Sequence, residues 1–110
     1  MKFTAIALCA PLLAFAATAN AQADTAQVKD ILNKNACLAC HAIDHKVVGP
    51  GYTDIAAKYK GDPAAAAQLA KHIKEGSSGV WGPIPMPANA GISDADIKVV
   101  VDWLMAGAPQ

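Results

Sequence analysis

The chain contains no arginine, and only one of its nine acidic residues is a glutamate, Glu75. Beyond residue 21 it has no phenylalanine either, and the aromatic side chains reduce to Tyr52, Tyr59, Trp81 and Trp103. Nine lysines balance nine carboxylates. With no net positive charge to neutralise a phosphate backbone, no nucleic-acid partner is expected. No apolar run approaches the ~20 residues that a membrane-spanning helix needs. The hydrophobic content of 54% over 110 residues is also less than it looks. Residues 1–21 hold 16 of the hydrophobic residues and a single charge, Lys2. Of the 43 hydrophobic residues in 22–110, 17 are alanine. A single domain so short of large side chains needs help with its core, from a disulfide, a metal or a cofactor.

The first 21 residues read as an export signal. Lys2 is followed by 13 apolar positions, Ala5 to Ala17, and then by Ala19-Asn20-Ala21 at the spacing signal peptidase reads. Cleavage is expected after Ala21, with Ala23 as the alternative, leaving residues 22–110 as the mature domain in the periplasm. Pro11 and the short length argue against a retained anchor. Cys9 leaves with this segment, and two cysteines remain.

Those two stand in Cys37-Leu38-Ala39-Cys40-His41. A disulfide across three residues closes too small a loop to stabilise much. A thioredoxin-like pair belongs in a βαβ setting, and no alternating strand pattern precedes it. A structural zinc site wants a second Cys/His pair at ligand spacing, and none exists. Covalent haem attachment is what C-x-x-C-H specifies: two thiols on one helical turn add across the vinyl groups, and the adjacent imidazole of His41 lies beneath the iron. Haem c is therefore the expected cofactor, and its apolar face completes the core that the side chains alone cannot build.

The second axial position has four candidates: Met86, Met105, His45 and His72. Met86 is preferred. It lies in Trp81-Gly82-Pro83-Ile84-Pro85-Met86-Pro87-Ala88-Asn89, where three prolines in five residues stiffen the loop. Met105 falls near the end of a predicted helix. His45 follows His41 by four residues, too close to reach the opposite face. His72 sits mid-helix among alanines.

Together these stretches resemble the small bacterial class I cytochromes c of the c-551/c-552 type. The resemblance runs from about Val28 to Leu104 and rests on Cys37–Asp44, Val48-Gly49-Pro50 and above all Gly79–Pro87. It implies an all-α small cytochrome c fold, four to five helices wrapped around one covalently bound haem. It implies thioether roles for Cys37 and Cys40 and axial roles for His41 and Met86. Pro50 matches a proline whose carbonyl accepts a hydrogen bond from the proximal imidazole. Trp81 matches a tryptophan that bonds a haem propionate, and Asn89 an asparagine near the methionine sulfur. His72 falls where relatives carry Arg or His near a propionate. Three positions depart from the pattern: Leu32 for a frequent Phe, Ala36 for a Gly before the first cysteine, and Gly91 as an apparent one-residue insertion. The implied activity is electron carriage rather than catalysis. The implied partners are redox proteins: a bc1-type complex upstream, and a terminal oxidase, nitrite reductase or peroxidase downstream. A monomer is expected.

Periodicity places the elements. Val28, Ile31, Leu32 and Asn35 form one face of a helix over about 25–36 that continues into the haem motif. A short helix is predicted over 53–59. The next opens at Asp62-Pro63 and stops at Gly76. The last opens at Ser93, carries Ile97, Val100, Val101 and Leu104 on one stripe, and ends at Gly107. Tyr52 and Tyr59 are expected to be half-buried packing residues.

Overall fold

The computed structural model describes residues 24–110 together with Ala10, Pro11 and Ala14. The expected export segment, residues 1–21, lies outside the described residues apart from those three. Four α-helices and one 3₁₀ turn follow in order: α1 (Thr25–Lys34), the turn Cys37–Ala39, α2 (Tyr52–Tyr59), α3 (Ala65–Glu75) and α4 (Asp94–Met105). Among the described residues no strand forms; two isolated bridges pair His41 with Lys46 and Ser77 with Met86. No helix among them is long and apolar enough to cross a membrane.

Local chemistry sets each boundary. The Asp24 carboxylate caps α1 by accepting from Ala26 N at 3.0 Å. At the other end the Asn35 side chain donates to the Ile31 carbonyl at 2.8 Å. The helix stops there, two residues short of the expected continuation, because Ala36 turns into the left-handed region at φ 56. The chain then resumes as the 3₁₀ turn, so the cysteine motif is set at its own angle rather than extending α1. Before α3, the Asp62 carboxylate accepts from Ala64 N at 2.9 Å, and regular helix begins only at Ala65. Gly76 ends α3 at φ +81, where an added Cβ would stand 2.7 Å from the Met86 carbonyl. Ser93 Oγ accepts from Asp96 N at 3.1 Å and opens α4, with Asp94 and Asp96 in the first turn favoured by the helix dipole.

The core is built on α4, which packs against α1, α2 and α3. Trp103, Leu32 and Val28 are its most deeply buried large side chains. Trp103 donates its indole N–H to the Pro109 carbonyl at 2.9 Å, so its polar atom is satisfied inside an apolar site. Tyr52 and Tyr59 are fully buried, not half-buried: both face inward from α2, beside Ile55.

Candidate functional site

Between the cysteine turn, α2, α3 and the 77–89 loop lies a cavity of about 280 Å³. Cys37, Cys40 and His41 border it from the cysteine turn, and Trp81, Met86 and Asn89 from the loop. His72 and Pro50 also reach it, as do the apolar side chains of Leu32, Ile55, Leu69, Val100 and Leu104. All eight residues singled out from the sequence thus border one space. His45 and Met105 do not border it; His45 is exposed and bonds Asp44 at 2.8 Å, which holds the Asp44 carboxyl below its ordinary range.

The cysteine turn is tight. Cys40 N and His41 N both donate to the Cys37 carbonyl, at 3.2 and 3.0 Å. In 3₁₀ geometry side chains three apart eclipse, which puts two thiols on one face of the turn. Cys37 and Cys40 are free thiols. Burial pushes the Cys37 thiol up from its ordinary value, against the opposing pull of hydrogen bonds from its backbone and from Tyr52.

His41 is fixed from three sides. Its Nδ1 lies 2.7 Å from the Pro50 carbonyl oxygen. A carbonyl can only accept, so Nδ1 carries the proton and Nε2 keeps its lone pair for a metal. Gly49 presses on the ring: a Cβ there would stand 2.7 Å from Cε1 and 3.0 Å from Nδ1. The Tyr52 ring stacks on the imidazole with centroids 5.1 Å apart and planes at 29°. Tyr52 in turn meets Trp103 edge-on at 5.3 Å. Burial, together with the neighbouring Cys37 and Cys40 thiols, raises the Tyr52 phenol far above its ordinary value, so it stays neutral. Sequence reasoning missed this stack. The available signal was the position of Tyr52 directly after Gly49-Pro50-Gly51, with α2 starting where Tyr52 N donates to the Ala42 carbonyl at 3.0 Å.

Met86 is held as firmly. Ser77 N donates to the Met86 carbonyl at 3.1 Å, and Met86 N to the Ser77 carbonyl at 2.8 Å. Asn89 N donates to the Ile73 carbonyl at 3.0 Å, tying the loop's far end to α3. The prolines remove the remaining backbone freedom.

The donor set suits haem c. Two thiols share a face, an imidazole has one nitrogen bonded to the Pro50 carbonyl and the other free, and a thioether stands on the 77–89 loop, all bordering an apolar hollow. Among the described residues no group of three His, Cys, Asp or Glu side chains converges as a zinc site requires.

An all-α domain built around such a cavity, with a C-x-x-C-H turn in its wall, defines a haem-binding protein of the c type. Comparison with known proteins agrees. The family model described as cytochrome c matches residues 25–108. Cytochrome c-552 of Nitrosomonas europaea is 54% identical over 92 residues, covering 83% of this chain and 89% of its own. Cytochrome c-551 of Pseudomonas aeruginosa is 52% identical over 87 residues, covering 78% and 83%. The crystal structure of wild-type Nitrosomonas europaea cytochrome c552 superposes with a TM-score of 0.68 at 55% identity, over 71% of this chain and 96% of that one. The chain belongs to the cytochrome c family, and within it to the small class I proteins. It carries one covalent c-type haem through a cysteine pair, and Cys37 and Cys40 are that pair. The c-551/c-552 relatives make it a single-haem electron carrier that works with redox partner proteins.

Proposed function

We propose that the protein is a periplasmic electron shuttle whose haem iron is held on both sides, by His41 and by Met86. The observation that supports this reading is a pair of independent restraints on two residues that border one cavity: the Pro50 carbonyl on His41 and the Ser77 pairing on Met86. When bound, the haem supplies a one-electron iron couple. The chain does the rest. Cys37 and Cys40 anchor the group. Pro50, Gly49 and Tyr52 fix the plane of the imidazole, and the bond to the Pro50 carbonyl makes it a stronger ligand. The proline-bounded loop keeps a weak thioether in place, and a His/Met pair raises the reduction potential. Asn89 stands near Met86, while Trp81 and His72 serve the propionates. With both ligand walls rigid, little must move when the electron arrives.

Docking is weak and transient, as for redox encounters generally. A bc1-type complex is the upstream donor, and a terminal oxidase, nitrite reductase or peroxidase the acceptor. Residues 1–21 direct export, and the mature chain acts as a monomer.

A peroxidase or gas sensor would need an open iron position. Carbon monoxide added to the reduced, haem-matured protein separates the two. The closed reading expects no change in the Soret spectrum at neutral pH over minutes. Prompt conversion to a carbonyl spectrum would sink it.

A further inference from the structure

The loop that carries Met86 is unevenly supported. Its Met86 end is locked by prolines and by the Ser77 pairing. Its Trp81 end is not. Val80 and Trp81 sit between Gly79 and Gly82, at φ +76 and +115, and no atom lies within 4 Å of where a Cβ would stand on either glycine. Trp81 is 39% exposed even though it lines the cavity. Something must hold that indole in the wall.

Lys58, in the last turn of α2, reaches this segment from across the fold. Its Nζ lies 4.6 Å from the centroid of the Trp81 ring. The same ammonium donates to the Val80 carbonyl at 3.4 Å. One cation therefore grips two consecutive residues, one through the π face and one through the backbone. The helix it reaches from is itself tied to the haem motif, since Tyr52 N and Thr53 N donate to the Ala42 and Ile43 carbonyls. A cation on the ring face also draws electron density toward itself, which makes the indole N–H a stronger donor.

We propose that Lys58 is a positioning residue, a clasp that fixes the Val80–Trp81 segment to α2 and so aims the Trp81 indole N–H into the haem cavity. The clasp stands on the contacts above. Its influence on the potential rests, in addition, on the assignment of Trp81 to a propionate.

The test uses the haem-matured protein and compares Lys58→Met, which keeps the stem and removes the charge, with Lys58→Arg, which keeps the charge. Hydrogen exchange of the two indole N–H groups is followed by NMR. In Lys58→Met the Trp81 indole exchanges roughly two- to fivefold faster, the change expected for loss of an exposed cation–π contact. Trp103, bonded to Pro109, does not change and serves as the internal control. Lys58→Arg restores the wild-type rate. An unchanged Trp81 rate in Lys58→Met, or an Arg variant as fast as the Met variant, would overturn the clasp. The midpoint potential is measured beside it, with Lys60→Met as the control for simple loss of a nearby charge. Lys58→Met shifts the potential more than Lys60→Met does, and the excess disappears in a Trp81→Phe background. A potential untouched by Trp81→Phe overturns the propionate assignment and not the clasp, because the exchange readout does not depend on it.

Discussion

Replacing Ala36 by glycine should stabilise the protein, although it removes a methyl group. Ala36 sits at φ 56, in the left-handed region, at the break between α1 and the cysteine turn. An L-residue there costs about 1–2 kcal/mol that glycine does not incur. Against this, glycine has more freedom in the unfolded chain, which returns about 0.4–1 kcal/mol. Ala36 is exposed, so no methyl packed within the chain is lost, although the residue borders the cavity. The net gain is about 0.8 kcal/mol, which for a domain of this size raises Tm by ~3–6 °C. Ala108 is the matched control. It has nearly the same backbone, φ 52, but is only 2% exposed. Removing its buried methyl costs about 0.8 kcal/mol, which cancels the relief, so Ala108→Gly should leave Tm nearly unchanged. Thermal unfolding of the oxidised, haem-matured protein by circular dichroism measures both. Equal shifts in the two variants, or a lower Tm for Ala36→Gly, would refute the reasoning.

Three further outcomes follow from the site. Gly49→Ala should cost roughly 1–3 kcal/mol in guanidinium unfolding, as overpacking does; its Cβ would stand 2.7 Å from His41 Cε1, well inside ordinary contact, and must push the ring off Pro50. An unchanged midpoint at the same slope would show that the ring is not so confined. The Cys37→Ala/Cys40→Ala protein, unable to bind haem covalently, should be largely unfolded, because the cavity occupies the centre of a core poor in large side chains; a cooperative native-like melt would contradict this. With His72 serving a propionate, His72→Gln should shift the midpoint potential at neutral pH; a potential identical to wild type in the variant removes His72 from the role.

The haem motif was legible because its chemistry is contiguous: five residues carry both thiols and the proximal imidazole. Met86 was singled out for a different reason, since prolines on both sides leave a methionine no ordinary core role, and it does border the cavity. Helix stripes and caps at Ser93 and Gly76 followed from local rules and stand where expected. What the sequence hid is tertiary or conformational. Alanine is the strongest helix former, so Ala36 itself conceals that the helix stops and the backbone turns left-handed; only the Gly that relatives carry there pointed to it. The burial of Tyr52 and its stack on His41 depend on how α2 folds back after Gly49-Pro50-Gly51. Lys58 looks like any solvated lysine until α2 and the Trp81 loop are placed side by side.

The central claim is that one iron is held between His41 and Met86. The most direct test is the absorption spectrum of the oxidised, haem-matured protein beside that of Met86→Ala. The account predicts a weak methionine–iron charge-transfer band at the red end of the wild-type spectrum, and its loss in the variant with covalent haem still present. Survival of that band in Met86→Ala would assign the sixth position to another residue and contradict the account.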